Sequence, residues 1–538
     1  MKCESSICIF KNLNWFDPKL NNFYFYWLSK VLFGDNFVYI SCVFMIIYQM
    51  KKKLFFILFC TFTAASSGYY NTSLLFYGSL KAQVVNREAY IRIENNSENQ
   101  KLARDIFKEL IEINTTSRYG STKAAEAMAA RLRSAGFPDS DIQVIGPDQQ
   151  HKNMVLRYRG TGKLKPVVFI CHLDVVEALR EDWTVDPFTF LEKDGYFYGR
   201  GTTDVKNDDA SLIANVIRLK KEGYMPSRDI IIALTADEEM GNANGVDWLI
   251  TNHRDLIDAD FCINPDGGGG DLKNGKPVNM AIQTSEKIYV SFRLEVKNKG
   301  GHSSLPVKDN AIYSLASGLT RLANYDFPAR LNETTRSYFE KIASGESVQV
   351  KSDILAILMT TPDTAAARRL ATSSAYYNAM MRTTCVATML SAGHAENALP
   401  QTAQAIINCR MLPDDNQDNV MSVLKTVLAD GQISVIRLNT SFSAPLSPLR
   451  EDVTDPVNQI SSSMWPGVNV TPIMSTGATD GRYLRSQGIP VYGVSGMFSD
   501  MDDVRAHGKD ERIGVKEFYD GVEFMYRFIM ALSSEKKP

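Results

Sequence analysis

The chain has 538 residues, 44% of them hydrophobic and 22% charged, with a formal net charge of -2. That length accommodates two or more domains with ample core, and the near-neutral balance gives no electrostatic reason to expect nucleic acid as a partner. Eight cysteines in so long a chain, with no Cys-x-x-Cys pair, exclude a disulfide scaffold.

At the N-terminus, "MKKKLFFILFCTFTAASSG" (50–68) has a basic start, a short apolar stretch and small residues after it. This is the pattern of a secretory signal peptide, too short to span a bilayer comfortably. Residues 1–49 then read as an N-terminal extension whose origin is a misplaced start site, with Met50 as the true start. The alternative is a signal anchor, with Lys51, Lys52 and Lys53 between two apolar halves. The first reading makes the body of the protein secreted or periplasmic, with no membrane span once processed; the second leaves a membrane-anchored form.

Further along, "LARDIFKELIEIN" and "TKAAEAMAARLRSAGF" carry helical periodicity. "NMVLRYRG" and "PVVFICHLD" read as strands, the second apolar throughout, as expected of a strand covered on both faces. "DDASLIANVIRLKKEGY" is a helix, "RDIIIALTADEE" a buried strand, "NGVDWLITNHRDLI" a helix and "ADFCINPDGGGG" a strand running into a glycine loop. This alternation predicts an α/β sheet with covered faces over 69–287. From Glu286 the pattern changes. "EKIYVSFRLEVKNK" alternates with period two, so one face is wet. A helix, a long helical stretch to about Arg382, two strands, a helix and a strand follow. Residues 288–440 thus read as an inserted α+β lid or dimerisation domain of the βαββαβ, ferredoxin-like type with extra helices. The α/β pattern returns over 441–538 with "DGRYLRSQGIPVYGVSG" and a closing helix, "VKEFYDGVEFMYRFIMALS". Cys171, Cys262, Cys385 and Cys409 sit in the strand-like runs and read as buried free thiols.

Ligands of open α/β sheets gather beyond the carboxyl ends of the strands, and polar residues recur there. "CHLD" offers His172 and Asp174, the loop "GRGTTDVKNDD" Asp204, "ADEE" Glu238 and Glu239, "NPDGGGG" Asp266, and "AHGKDER" His507 far downstream. Each is ordinary alone. Together, two histidines and several carboxylates at one topological position suit two divalent cations sharing a carboxylate. The cations would offset the repulsion among so many acids. On this reading one of the adjacent glutamates binds metal, and its neighbour exchanges a proton with water.

The segments "HLDVV", "DGYFYGRGTTDVKND", "ADEEMG", "NPDGG", "GGHSSLP", "STGATDGRYLR" and "AHGKDER" together resemble the signatures of the M20 metallopeptidases, the di-zinc exopeptidase and amidohydrolase group. The "GRGTTDVK" form and the long helical insert are most similar to the carboxypeptidase S and N-acyl-amino-acid hydrolase branch. The resemblance implies a zinc-exopeptidase-type mixed sheet and two Zn2+ per subunit, with Co2+ or Mn2+ as substitutes. His172 and Asp266 would each bind one zinc, Asp204 would bridge, and Glu239 and His507 would bind the second. Asp174 would hydrogen-bond His172 and fix its tautomer. Glu238 would be the general base, and the Asp204–Val205 peptide would be cis. His302 would stabilise the oxyanion, in many relatives from the partner subunit of a homodimer formed through the inserted domain. Arg410 would either pair with a substrate carboxylate or form a structural ion pair, and Asn310 and the backbone near Gly477 are further substrate contacts. The implied reaction is hydrolysis of an amide or peptide bond beside a free carboxylate, as in a carboxypeptidase or dipeptidase. The alternatives are an N-acyl-amino-acid amidohydrolase and a non-catalytic secreted peptide-binding protein.

Overall fold

A computed structural model describes residues 97–439 and 444–535, together with the backbone of five N-terminal strands that form a separate unit. The expected N-terminal extension and signal peptide lie outside the residues whose side chains are described.

The apolar runs of the sequence become a six-stranded sheet. Its order is Val491–Tyr492, Phe261–Ile263, Val167–His172, Ile230–Thr235, Asn153–Tyr158 and Ile142–Ile145. The first four strands are parallel, and the last two run antiparallel to their neighbours. Period-two geometry sends successive side chains to opposite faces. Val167, Phe169 and Cys171 therefore join a core with the helices Ser97–Glu112, Thr122–Ser134, Lys206–Lys221 and Val515–Ser533. Val168 and Ile170 pack instead with Val246, Leu249 and Leu484 from the helices Gly245–Asn252 and Gly481–Ser486. Both faces are covered, which is why these strands are continuously apolar. A second sheet, not anticipated by the sequence pattern, orders Asn469–Ser475, Lys276–Glu286, Gly269–Lys273 and Phe498–Asp500.

The inserted unit is a four-stranded antiparallel sheet ordered Thr384–Ala392, Thr402–Met411, Ile288–Lys297 and Ser434–Arg437. The helices Ala311–Ala323 and Gln417–Leu428 cover one face, burying Ile288, Val290, Phe292, Leu294 and Val296. The alternation that begins at Glu286 thus becomes a half-covered sheet of the expected βαββαβ order. The extra helices do not simply cap it. Glu333–Ile342 packs against the catalytic-side strand Asn469–Ser475. There Lys341 Nζ donates to the Val470 carbonyl at 2.7 Å, and Met474 enters the helices' own core. Among the described residues no helix is long and apolar enough to cross a membrane.

One cysteine expectation is corrected. Cys171 and Cys262 are buried free thiols, but Cys385 and Cys409 form a disulfide. They lie directly opposite one another in the antiparallel register of the first two inserted strands, a neighbourhood that 24 residues of sequence separation conceal.

Candidate metal centre

The six-stranded sheet delivers its polar residues to one end. His172 is the last residue of the Val167–His172 strand, and Glu238 and Glu239 occupy the turn after Ile230–Thr235. Asp266 sits in the single helical turn after Phe261–Ile263. Asp204 precedes the Lys206–Lys221 helix, and the Asp204–Val205 peptide is cis, as expected. Its loop requires Gly201, which has φ of +89° and would drive a Cβ to 2.9 Å from Lys206 Cδ and 3.0 Å from Val175 Cγ1.

These side chains converge. His172 Nε2 lies 3.2 Å from Asp204 Oδ1, while His507 Nε2 lies 2.8 Å from Asp204 Oδ2 and 3.0 Å from Glu239 Oε1. Two triads result, His172–Asp204–Asp266 and Asp204–Glu239–His507, the ligand atoms within each lying within 4.8 Å of one another. Asp204 belongs to both, as a bridging carboxylate must.

The charges of the cluster reflect crowding. Burial pushes Asp266 up to about 7, with Asp204, Asp480 and Glu239 adding to it. Burial, then Asp480, raises Glu238 well above the usual carboxylate range. Burial also opposes ionisation of Asp204, but hydrogen bonds from His172 and His507 hold it below that range. Hydrogen bonds to Asp204 and Glu239 raise His507 to about 10. Such a donor set of neutral imidazoles and carboxylates is competent for borderline divalent cations, which replace the imidazolium protons.

Asp174 works differently from expectation. Its carboxylate stands 3.9 Å from His172 Nδ1, and its main-chain carbonyl, at 3.0 Å, is the partner that fixes the tautomer. The carboxylate instead accepts the N–H groups of Glu238 and Glu239, at 3.1 Å each. It therefore pins the two adjacent glutamates in their turn, which Asp237 enters at a φ of +56°.

Glu511, not singled out by the sequence, organises the other side. It is fully buried and accepts from Thr203 N at 2.7 Å, Gly201 N at 3.2 Å and Asp204 N at 3.3 Å. It also pairs with Arg200 at 2.5 Å. Asp204, the carboxylate common to both triads, is thus held by the same segment that carries His507. The only sequence signal was its place inside "AHGKDER".

The outlying candidates separate. Asn310 caps the Ala311–Ala323 helix, its Oδ1 accepting from Ile312 N at 2.8 Å, so its oxygen is already engaged. Gly477 N donates to Ser475 Oγ at 3.1 Å, in the loop ahead of Asp480. His302 is exposed on a short ribbon, its Nδ1 bonded to Ser304, and it belongs to neither of the two triads. Arg410 stacks over Tyr289 at 4.7 Å and pairs with no carboxylate among the described residues. Its guanidinium lies within electrostatic reach of Lys287 and Arg482, and Arg482 in turn of Asp480, beside Glu238.

Comparison with known proteins agrees with this geometry. The family model described as "Peptidase family M20/M25/M40" matches residues 168–531. Human N-fatty-acyl-amino acid synthase/hydrolase PM20D1 is 29% identical over 386 residues, 70% of this chain and 76% of that protein. The M20 family metallo-carboxypeptidase Sso-CP2 from Sulfolobus solfataricus superposes with a TM-score of 0.59 at 18% identity, covering 80% of this chain and 99% of that one. The YXEP protein of Bacillus subtilis, a dinuclear metal-binding peptidase from the M20 family, gives 0.53 at 10% identity, covering 81% and 99%. With the family model matching over most of the chain and the candidate ligands converging, the chain belongs to peptidase family M20/M25/M40 and is an enzyme of its metallopeptidase and amidohydrolase group.

Proposed function

We propose that this enzyme hydrolyses the amide bond of N-acyl amino acids, using two zinc ions held by His172, Asp204, Asp266, Glu239 and His507. The observation that carries the reading is the pair of triads sharing Asp204, with Glu238 fixed beside them through Asp174. When bound, such cations act as Lewis acids on the scissile carbonyl and acidify water. Glu238 accepts a proton from the attacking water and returns it to the leaving nitrogen, a role that fits a half-buried carboxyl whose proton affinity is raised. Asp174 keeps that carboxyl in register, and the Asp174 carbonyl keeps His172 Nε2 free to bind metal. Arg410, which pairs with no carboxylate among the described residues, receives the carboxylate of the substrate.

His302 completes the oxyanion site from a second copy of the chain, since in its own chain it is exposed and joins neither triad. The same inserted unit then forms the homodimer. The Cys385–Cys409 disulfide supports a secreted or periplasmic protein, because such bonds persist in oxidising compartments. Carboxypeptidase action on short peptides is the second reading, favoured by the fold shared with Sso-CP2. The test is metal analysis with hydrolysis of N-acyl amino acids and peptides by wild type and Glu238→Gln. The variant keeps both metals and loses at least about a hundredfold in kcat; full turnover by it refutes the assignment of Glu238.

A further inference from the structure

The chain passes between the catalytic part and the inserted unit twice. The first passage runs from Glu286, the last residue of the Lys276–Glu286 strand, to Ile288, the first residue of the inserted sheet. The second lies between Arg437, which ends the inserted strand Ser434–Arg437, and Ser447, whose N–H donates to the Thr284 carbonyl at 2.9 Å. Both passages meet one buried side chain. Arg485 Nη1 donates to Glu286 Oε1 at 2.9 Å, Nε to Ser447 Oγ at 3.2 Å and Nη2 to the Val491 carbonyl at 3.0 Å. Arg485, Glu286 and Ser447 are each only 2% exposed. A planar guanidinium can address three segments at fixed angles, which a lysine ammonium cannot.

Stability alone does not call for this arrangement, because well-packed apolar groups are often as stable as a buried ion pair. What the guanidinium adds is direction. On the catalytic side the other Glu286 oxygen accepts from Thr479 N at 2.6 Å. The next residue, Asp480, accepts from Asn244 Nδ2 at 2.6 Å and from Thr235 Oγ1 at 3.4 Å, residues that flank the turn holding Glu238 and Glu239. On the inserted side the chain runs three residues on from Glu286 to Tyr289, which pairs directly with Arg410 across the sheet and lies under its guanidinium. Lys287 removes the slack between them. Its N–H donates to the Ser475 carbonyl at 3.0 Å and its buried Nζ to the Arg382 carbonyl at 2.7 Å. We infer that Arg485 is a positioning residue that fixes Arg410 relative to Glu238; this rests on the hydrolase reading above, in which those two groups act on the two ends of one substrate. A separate fastening, Thr334 Oγ1 at 2.6 Å from Thr284 Oγ1 and Lys341 on the Val470 carbonyl, keeps the inserted unit docked when Arg485 changes. Loss of the guanidinium therefore misaligns the unit rather than releasing it.

The experiment is a double-mutant cycle on kcat/KM, with the best cleaved of N-acetyl-phenylalanine, N-decanoyl-phenylalanine and alanyl-phenylalanine as substrate. The proteins are wild type, Arg485→Lys and Glu286→Gln, each with and without Arg410→Met. In wild type Arg410→Met costs about 10–100-fold. In either variant it costs at least about fivefold less, because Arg410 is no longer held where the carboxylate lies. Side chains that share no partner usually act independently, so this coupling is the signature of positioning. A residue that merely held the fold would lower the melting temperature and leave the two effects multiplicative; that result overturns the inference, as does an Arg410→Met change without effect in wild type. If Arg485→Lys does not fold, Glu286→Gln, which keeps the shape and one acceptor, carries the cycle. If wild type cleaves no substrate, the hydrolase reading fails on its own, and the alignment is measured directly. Nitroxide labels at the exposed positions Lys123→Cys and Lys425→Cys report the separation of the two parts by pulsed electron resonance. A shifted or broadened distance distribution in Glu286→Gln supports positioning, and a superimposable one refutes it.

Discussion

Replacing Glu511 by glutamine probes how far the metal centre depends on a residue that binds no metal. The carboxylate is fully buried, and its two oxygens serve the N–H groups of Gly201, Thr203 and Asp204, the Thr203 hydroxyl and the Arg200 guanidinium. Glutamine keeps one acceptor oxygen and turns the other position into a donor that faces donors. Arg200, itself buried and stacked 5.1 Å from the centre of the Trp183 ring, loses its only charged partner among the described residues. Breaking a buried ion pair from one side costs about 3–5 kcal/mol, a large share of the ~5–15 kcal/mol that typically separates folded from unfolded chains. The same loop positions Asp204, so metal affinity falls as well, by about 10–100-fold as for other residues that orient ligands. Because Asp204 belongs to both triads, both metals weaken together; Asp266→Asn and Glu239→Gln each weaken one more than the other. Urea unfolding of the metal-free protein gives the stability term, and competition with a chromophoric chelator gives the two affinities. Wild-type stability together with wild-type affinity in Glu511→Gln would refute the reasoning.

Two further outcomes follow from other buried charges. Asp208 has no cationic partner among the described residues, accepts from Ser495 Oγ at 2.8 Å and is pushed up to about 7 by burial; a carboxyl raised in the folded state from 3.8 costs stability as pH rises between about 4 and 7. Asp208→Asn, which keeps an acceptor for Ser495, should leave chelated protein unchanged at pH 4 and stabilise it at pH 8 by up to about 4 kcal/mol, and thermal melts that shift equally at both pH values would contradict this. Arg410→Met should lower kcat/KM about 10–100-fold for a substrate with a free carboxylate and leave the corresponding C-terminal amide nearly unaffected, the loss of one charge-assisted contact; equal losses on both substrates would remove Arg410 from recognition.

The sequence by itself determined the elements and the chemistry that each could bring. Strands such as "PVVFICH" and "DIIIAL" are apolar at every position because both faces are covered, and burial of that kind leaves a mark on every residue. The alternation from Ile288 to Lys297 marked a half-covered sheet for the same reason. The candidate ligands were legible only as a set: each is ordinary alone, and their shared position at strand ends made convergence a sensible expectation. What the tertiary structure decided is which atom meets which. Asp174 offers its carbonyl to His172 and its carboxylate to two amides, a division that depends on the turn geometry around Glu238 and Glu239. Asn310 spends its oxygen on a helix end, and Glu511 reaches a loop more than three hundred residues earlier in the chain. Cys385 meets Cys409 because two strands pair in one register, and a helix inserted among lid strands packs on the other sheet. Periodicity reports only whether a side chain is covered. Pairing across the chain depends on register, loop closure and the competition for each buried hydrogen-bonding group, and those are settled only when the whole core assembles.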